Sequence, residues 1–200
     1  MISSFSSKKL AFDYISAYLE THQGNIIFSG GSSIKKLFNI KLDNLNLQNR
    51  KILLSDERLV NKKSNLRNDN FFYDLIKKKY IKKTNFLNYK KEYYDKKYIK
   101  VFSKKIQNIN FKIAIMGLGS NGHIASIFDD NYVGNDTFYN VTTSPKLPKN
   151  RVTISINKIG QADKIFLLAN KLIKKKEIKN FNKNNIIKKF KKKIELIVFY

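Results

Sequence analysis

A single α/β domain, with a mainly parallel sheet covered on both sides, is the fold class that this 200-residue sequence predicts. Three observations predict it. Phe111–Met116 reads FKIAIM, an almost unbroken apolar run of the kind found in a strand buried on both faces. Other short apolar runs, Asn25–Phe28 and Ile165–Ala169 among them, alternate with stretches whose apolar residues recur at helical spacing. A hydrophobic content of 42% over 200 residues is enough for a sizeable core, and no repeat or flexible linker divides it.

The first helix is predicted over Lys8–Thr21, where Leu10, Tyr14, Ile15, Tyr18 and Leu19 share a face. His22 then reads as a surface or capping residue, and Gly24 as the helix stop. Asn25–Phe28 is a short strand running into Ser29-Gly30-Gly31-Ser32-Ser33, after which Ile34, Leu37 and Phe38 mark a helix. Lys51–Leu54 is the next strand, with Ser55-Asp56-Glu57-Arg58 following at its C-terminal end. A polar loop, Asn61–Asn70, precedes helices over Phe71–Tyr80 and Tyr93–Ile106, and Thr84–Lys91 between them carries no readable period. The FKIAIM strand stops at Gly117-Leu118-Gly119-Ser120-Asn121-Gly122, and Ile124–Phe128 reads as the start of a helix. Beyond the polar segment Asp129–Asp136 come strands near Phe138–Val141 and over Arg151–Ile156, separated by the proline-punctuated loop Ser144–Asn150. Ile165–Ala169 is a buried strand, Asn170–Asn180 a lysine-studded helix, and Ile194–Phe199 a closing strand.

Composition excludes several functions. Cysteine is absent, so disulfides and thiolate metal sites are ruled out, and two histidines leave little for an imidazole metal site. The N-terminus lacks the apolar core of a signal peptide, and no stretch is long and apolar enough to span a bilayer. The cytoplasm is the simplest placement. A net charge of +25 would suit a nucleic-acid binder, but the excess is nearly all lysine, in runs such as Lys77-Lys78-Lys79. Lys, Asn, Ile and Tyr, all abundant here, have AT-rich codons, so base bias explains the charge without a polyanion. No arginine- and aromatic-based base-reading motif accompanies it.

Three motifs carry candidate chemistry. Ser29–Ser33, between a strand and a helix, can hold a phosphate through bare backbone and hydroxyls, or can be an ordinary turn with a serine N-cap. Asp56-Glu57-Arg58 at a strand end can be an ion-pair cluster or a site for a charged substrate. Gly117–Gly122 matches G-x-G-x-x-G, but the acidic residue such a dinucleotide site expects is not at the end of a following strand. His123, directly after that turn, can instead act as a base near neutral pH, or be a turn histidine bonded to backbone.

Taken together and in order, these motifs, with Ser64-Asn65, Gly119–Phe128, Pro148 and Arg151-Val152-Thr153, resemble the 6-phosphogluconolactonase family over nearly the whole chain. The resemblance implies a Rossmann-like three-layer sandwich and hydrolysis of 6-phosphoglucono-δ-lactone, a sugar-phosphate lactone of the oxidative pentose phosphate pathway, without metal or organic cofactor. It implies that His123 activates the attacking water, with Asn121 and Asp56 orienting groups beside it. It implies that Gly30, Gly31, Ser32, Ser33, Gly119, Arg58 and Arg151 hold phosphate or substrate oxygens. A lysine after Ala169 often completes the phosphate site, and Lys171 and Lys174 both compete for that register. The family usually has Asp where Asn121 stands; asparagine can orient a neighbour but carries no charge. Of the rivals, the related glucosamine-6-phosphate deaminases carry a glutamate a few residues beyond the histidine and an aromatic residue where Arg58 stands, and this chain has neither. The other rival is a non-catalytic nucleic-acid binder. The oligomeric state is not legible.

Overall fold

The computed structural model describes residues 1–38, 47–128, 136–142, 144–190 and 193–200. Along the chain run β1 (Ile2–Ser4), α1 (Lys8–Thr21), β2 (Asn25–Phe28), α2 (Ser32–Phe38), β3 (Ile52–Leu54), β4 (Asp56–Arg58), α3 (Asp69–Lys77), β5 (Phe86–Leu87) and α4 (Lys96–Gln107). They are followed by β6 (Phe111–Gly117), β7 (Phe138–Val141), β8 (Arg151–Ile154), α5 (Ile156–Gly160), β9 (Lys164–Asn170), α6 (Lys175–Lys179), α7 (Asn185–Lys188) and β10 (Ile194–Phe199).

Seven strands form one sheet in the order β1-β10-β9-β6-β2-β3-β5, and every pairing in it is parallel. Because strand side chains alternate between faces, a run such as β9 divides its residues between two cores. Phe166 and Leu168 enter one, with Ala11, Phe12 and Ile15 of α1, Leu37 of α2 and Phe72 of α3. Ile165, Leu167 and Ala169 enter the other, with Ile99 and Phe102 of α4, Ile159 of α5 and Ile187 of α7. The result is the three-layer α/β sandwich expected, with helices on both faces. None of the helices among the described residues is long and apolar enough to cross a membrane.

Local chemistry sets the helix ends. Ser7 caps α1 by accepting the Leu10 N–H at 3.2 Å, and Asp95 caps α4 by accepting the Tyr98 N–H at 2.9 Å. At the other ends, buried Arg50 donates to the carbonyls of Leu19, His22 and Gly24, and buried Lys158 to those of Gln107 and Ile109. These cations satisfy carbonyls that helix geometry leaves open and oppose the negative end of the dipole. His22 stacks on Tyr18 at the exposed end of α1, a capping role as expected.

Several expectations need correction. A second, three-stranded antiparallel sheet, β4-β8-β7, packs its Phe138, Val152 and Ile154 onto the α4 side of the main sheet. Asp56-Glu57-Arg58 is therefore a strand of its own rather than a tail on β3. Ile124–Phe128 does not start a helix: Ala125 has φ 54°, Ser126 N–H donates to Thr153 Oγ1, and Ile124 makes isolated bridges to Leu118 and Ile127. Helix over Asn170–Asn180 shrinks to α6, because Asn170 finishes β9 and Lys171 N–H still bonds to Phe199 of the neighbouring strand. β1 and β5, short edge strands of three and two residues, were not anticipated. The polar segment between 129 and 135 lies outside the described residues.

Parallel strands place all their C-terminal ends on one edge. From β2 the chain builds outward to β3 and β5, then returns to lay β6 on the other side of β2. The crevice between β2 and β6 is thus a topological switch point, where ligands of open α/β sheets bind.

Candidate active site

Two glycine turns meet over that crevice. Ser29 joins them: its Oγ accepts the Gly117 N–H at 2.8 Å and donates to the Gly30 carbonyl at 3.1 Å. Gly30 is required by close approach, since a Cβ there would sit 2.1 Å from Asn68 Cγ. Gly31, at φ 102°, is required by its backbone, and a Cβ there would meet nothing within 4 Å. Its open side faces a cavity of about 210 Å³.

The cavity wall includes Ser32, Ser33, Asp56, Arg58, Gly119, Ser120, His123, Lys146, Arg151 and Lys174. Four cationic side chains therefore surround one carboxylate, an arrangement that attracts a small anion. Arg58 donates through one Nη to the Leu66 carbonyl, while its buried Nε has no hydrogen-bond partner among the described residues. On a residue that lines the cavity, such an orphaned donor calls for an oxygen that the protein itself does not supply. Arg151 is more committed: Nε donates to the Pro148 carbonyl, Nη2 to that of Lys146, and Nη1 to Ser126 Oγ at 3.4 Å. Its pKa is lowered by burial first and by the charge of Arg58 second. An anion between the two guanidinium groups would relieve that repulsion.

Two ammonium groups converge on one hydroxyl. Lys146 donates to Ser120 Oγ at 2.7 Å and Lys174 at 3.3 Å. With both lone pairs engaged, the Ser120 hydroxyl hydrogen is left to donate elsewhere. Burial lowers the Lys174 pKa, and Lys146 adds to that while Glu177 opposes it.

His123 stands on the same wall. Its Nδ1 lies 2.6 Å from the Ser120 carbonyl, which can only accept, so Nδ1 carries the hydrogen and Nε2 keeps its lone pair. Phe128 packs on the ring at 4.7 Å between centroids. Burial pushes the His123 pKa below 6.5, opposed by the Ser120 bond and the charge of Asp56 and reinforced by Arg151 and Lys174. The imidazole is thus held neutral, in one tautomer, beside a cationic hollow.

Asp56 anchors the far side. Its Oδ2 accepts from Ser126 Oγ at 2.8 Å and Oδ1 from Ser55 Oγ at 3.1 Å, and Ser126 passes the chain on to Arg151. Beneath it, Glu57 accepts the backbone N–H groups of Arg58, Asn68 and Asp69 at 2.7, 2.8 and 2.9 Å. Arg67, fully buried, grips Asp69 with two bonds at 2.9 and 2.8 Å and stands 3.6 Å from Glu57. Burial and the neighbouring Asp69 charge push Glu57 up to about 8, with Arg67 and the backbone donors opposing. The alternatives for Asp56-Glu57-Arg58 resolve by side: Glu57 belongs to a buried structural network, while Asp56 and Arg58 line the cavity.

The geometry therefore brings together His123, Asp56, Gly30, Gly31, Ser32, Ser33, Arg58, Gly119, Arg151 and Lys174. It does not bring Lys171, whose exposed ammonium turns to the Tyr200 hydroxyl. Nor does it bring Asn121, which at φ 65° faces a second groove behind the turn. The left-handed conformation suits asparagine there. Most backbone donors of the second glycine turn are engaged within the protein, namely the N–H groups of Gly117, Leu118, Gly119, Asn121 and Gly122. Lys146, Asn68, Ser120 and Ser126 were missed. Lys146 looked like one more lysine in a proline loop, and only the Arg151 clamp on that loop brings it inward. No group of three or more His, Cys, Asp or Glu side chains that could hold a metal occurs among the described residues. Among the described residues, a single 3-10 turn, Ser120–Gly122, and no α-helix follows β6 to receive a pyrophosphate before Phe128.

A family model described as glucosamine-6-phosphate isomerases/6-phosphogluconolactonase matches residues 6–189. The chain belongs to that family. Within the glucosamine-6-phosphate isomerase/6-phosphogluconolactonase family, a 6-phosphogluconolactonase of Helicobacter pylori is 30% identical over 154 residues. The match covers 73% of this chain and 66% of the relative, so this chain spans just under two thirds of that protein's length. A 6-phosphogluconolactonase of Mycobacterium leprae is 34% identical over 62 residues, 30% of this chain and 25% of the relative. A crystal structure of 6-phosphogluconolactonase from Thermotoga maritima superposes with a TM-score of 0.80 at 20% identity, covering 100% of this chain and 99% of that one. A monomeric glucosamine-6-phosphate deaminase superposes at 0.76 and 14% identity, covering 99% and 96%. At such identities these two likenesses are of fold alone, and both branches of the family share it.

Proposed function

We propose that the protein hydrolyses 6-phosphoglucono-δ-lactone to 6-phosphogluconate, the lactone-opening step of the oxidative pentose phosphate pathway. The observation that carries this reading is a neutral imidazole with a free Nε2 on the wall of a small cationic cavity. A phosphorylated lactone needs both: cations for its dianionic phosphate and a base for water.

The phosphate lies against the open Gly30-Gly31 turn, the hydroxyls of Ser32 and Ser33, and the guanidinium of Arg58, whose Nε has no partner among the described residues, with Lys174 adding charge. Guanidinium and ammonium bonds to phosphate are charge-assisted and strong. That grip sets the lactone carbonyl near His123. Nε2 takes a proton from water as its oxygen bonds to the carbonyl carbon. The tetrahedral oxyanion is met by the cationic side chains and the Ser120 hydroxyl, most of the second turn's backbone donors being engaged within the protein. The carbon–ring oxygen bond then breaks, and the imidazolium returns its proton to the ring oxygen. Asp56 acts through Ser126 on Arg151 rather than on substrate. For such a substrate the cytoplasm is the compartment we assign, and the lysine surface needs no polyanion.

The test is an assay of freshly made lactone, coupled to oxidation of 6-phosphogluconate and corrected for spontaneous opening, with ammonia release from glucosamine 6-phosphate followed in parallel. Acceleration of lactone opening without ammonia release is expected. Ammonia release alone would move the protein to the deaminase branch, and neither activity would refute the reading.

A further inference from the structure

The segment after β9 carries groups that this reaction does not use. Ser120 and His123 line the cavity, whereas Asn121 and Gly122 line a second groove of about 300 Å³ with Glu177, Asn180, Asn184 and Ile187. The Ser120–Gly122 turn is the partition between the two.

Two side chains hold it from the groove side. Glu177 of α6 accepts the Asn121 N–H at 3.2 Å. Asn184 donates through Nδ2 to the Gly122 carbonyl at 3.0 Å, while its Oδ1 accepts the Ile187 N–H at 3.0 Å and caps α7. The cap fixes which end of the amide is oxygen, so the Gly122 carbonyl meets a true donor. Asn184 also explains the glycine beside it: a Cβ on Gly122 would lie 2.2 Å from Nδ2, and φ there is 79°. Asn121 stands left-handed between them, a conformation asparagine tolerates.

We propose that Glu177 and Asn184 are positioning residues for His123: by pinning the Ser120–Gly122 turn they aim the Ser120 carbonyl that fixes the Nδ1–H tautomer. The proposal rests on His123 being the base, as assigned above. Glu177 and Asn184 sit on different elements and grip adjacent residues of the turn. Losing either releases one end of the peptide segment that carries the carbonyl. The imidazole then gains freedom to rotate and to exchange tautomers, which costs correctly poised base while the Gly30-Gly31 turn and Arg58 still hold the phosphate.

The chain has only two histidines, so ¹⁵N imidazole spectra resolve His123, with His22 on α1 as internal reference. Asn184→Asp keeps the Oδ1 cap and replaces the donor to Gly122 with an oxygen that the carbonyl repels. Glu177→Ala removes the other grip from an exposed helix and leaves the core untouched. In both, the His123 signals should move from the Nδ1–H pattern toward a mixture of tautomers, with kcat down about tenfold and KM within about twofold, the scale of one hydrogen bond. Lys176→Ala, in the same groove without a bond to the turn, should change neither readout. An unchanged His123 tautomer in both variants overturns the proposal, whatever happens to the rate. A tautomer shift in a protein without lactonase activity leaves the clamp standing and removes the reaction instead. Should Asn184→Asp fail to fold, Glu177→Ala alone decides.

Discussion

Gly119→Ala isolates the placement of the imidazole from everything else. Gly119 has φ −74° and ψ 166°, extended values that alanine adopts freely, so the substitution adds no backbone strain. Its Cβ, however, would lie 2.3 Å from both Cε1 and Nε2 of His123 and 2.5 Å from Cδ2. Reaching the short end of ordinary contact, 3.4 Å, requires the ring to retreat by about 1.1 Å. The ring is held behind by its Nδ1 bond to Ser120 and on one side by Phe128, so it must break that bond or rotate. A displacement of about 1 Å at the reacting group costs on the order of 10² in rate. Steady-state lactone hydrolysis should therefore lose about two decades in kcat/KM, with the thermal midpoint lowered only modestly, because the displaced ring loses its bond while the backbone stays unstrained. Activity within about threefold of wild type would refute the placement of His123 as base.

Arg58→Ala removes the orphaned donor and should raise KM for the phosphorylated lactone by roughly 10- to 100-fold, the loss of a charged hydrogen bond, with kcat little changed; an equal loss on unphosphorylated δ-gluconolactone would contradict a phosphate role. The acid limb of kcat/KM should have its midpoint below 6.5. His123 works only when neutral, and burial lowers its pKa, so activity persists to lower pH than an exposed histidine would allow; a midpoint above 6.5 would contradict this. Arg67→Met leaves Glu57 and Asp69 buried without their cation and should cost about 3–5 kcal/mol. In a chain of this size that is a fall of roughly 10 °C in thermal midpoint, and a fall under about 2 °C would mean the network is not cohesive.

The five inner strands of the main sheet were legible because they are buried on both faces and read as bare apolar runs, FKIAIM above all. Of the small sheet, β7 and β8 were read as strands, but β4 and the sheet itself were not. Asp56-Glu57-Arg58 has no apolar signature, and its pairing with Arg151–Thr153 is a contact across almost a hundred residues. The stretch Arg67-Asn68-Asp69 reads as a polar loop, yet all three residues are buried, because each polar group finds its partner in the network around Glu57. Polarity marks exposure only where such partners are missing. At the site, spacing alone left His123 and the glycine turns open between site and ordinary turn, and only their order together, through the family resemblance, pointed to a site. Lys174 over Lys171 could be decided only by β9, which runs through Asn170 and sets where the turn releases the chain. Ile124–Phe128 misled because its apolar residues enter the core from a bridged loop instead of a helix.

The central claim, that an anion pocket and a free imidazole nitrogen act on one substrate, is tested most directly by the rate of lactone opening in His123→Ala against wild type, at saturating substrate and above the spontaneous background. A loss on the order of 10²–10⁴ in kcat, with KM for the phosphorylated lactone nearly retained, is the predicted result. A variant that opens the lactone as fast as wild type would contradict the account.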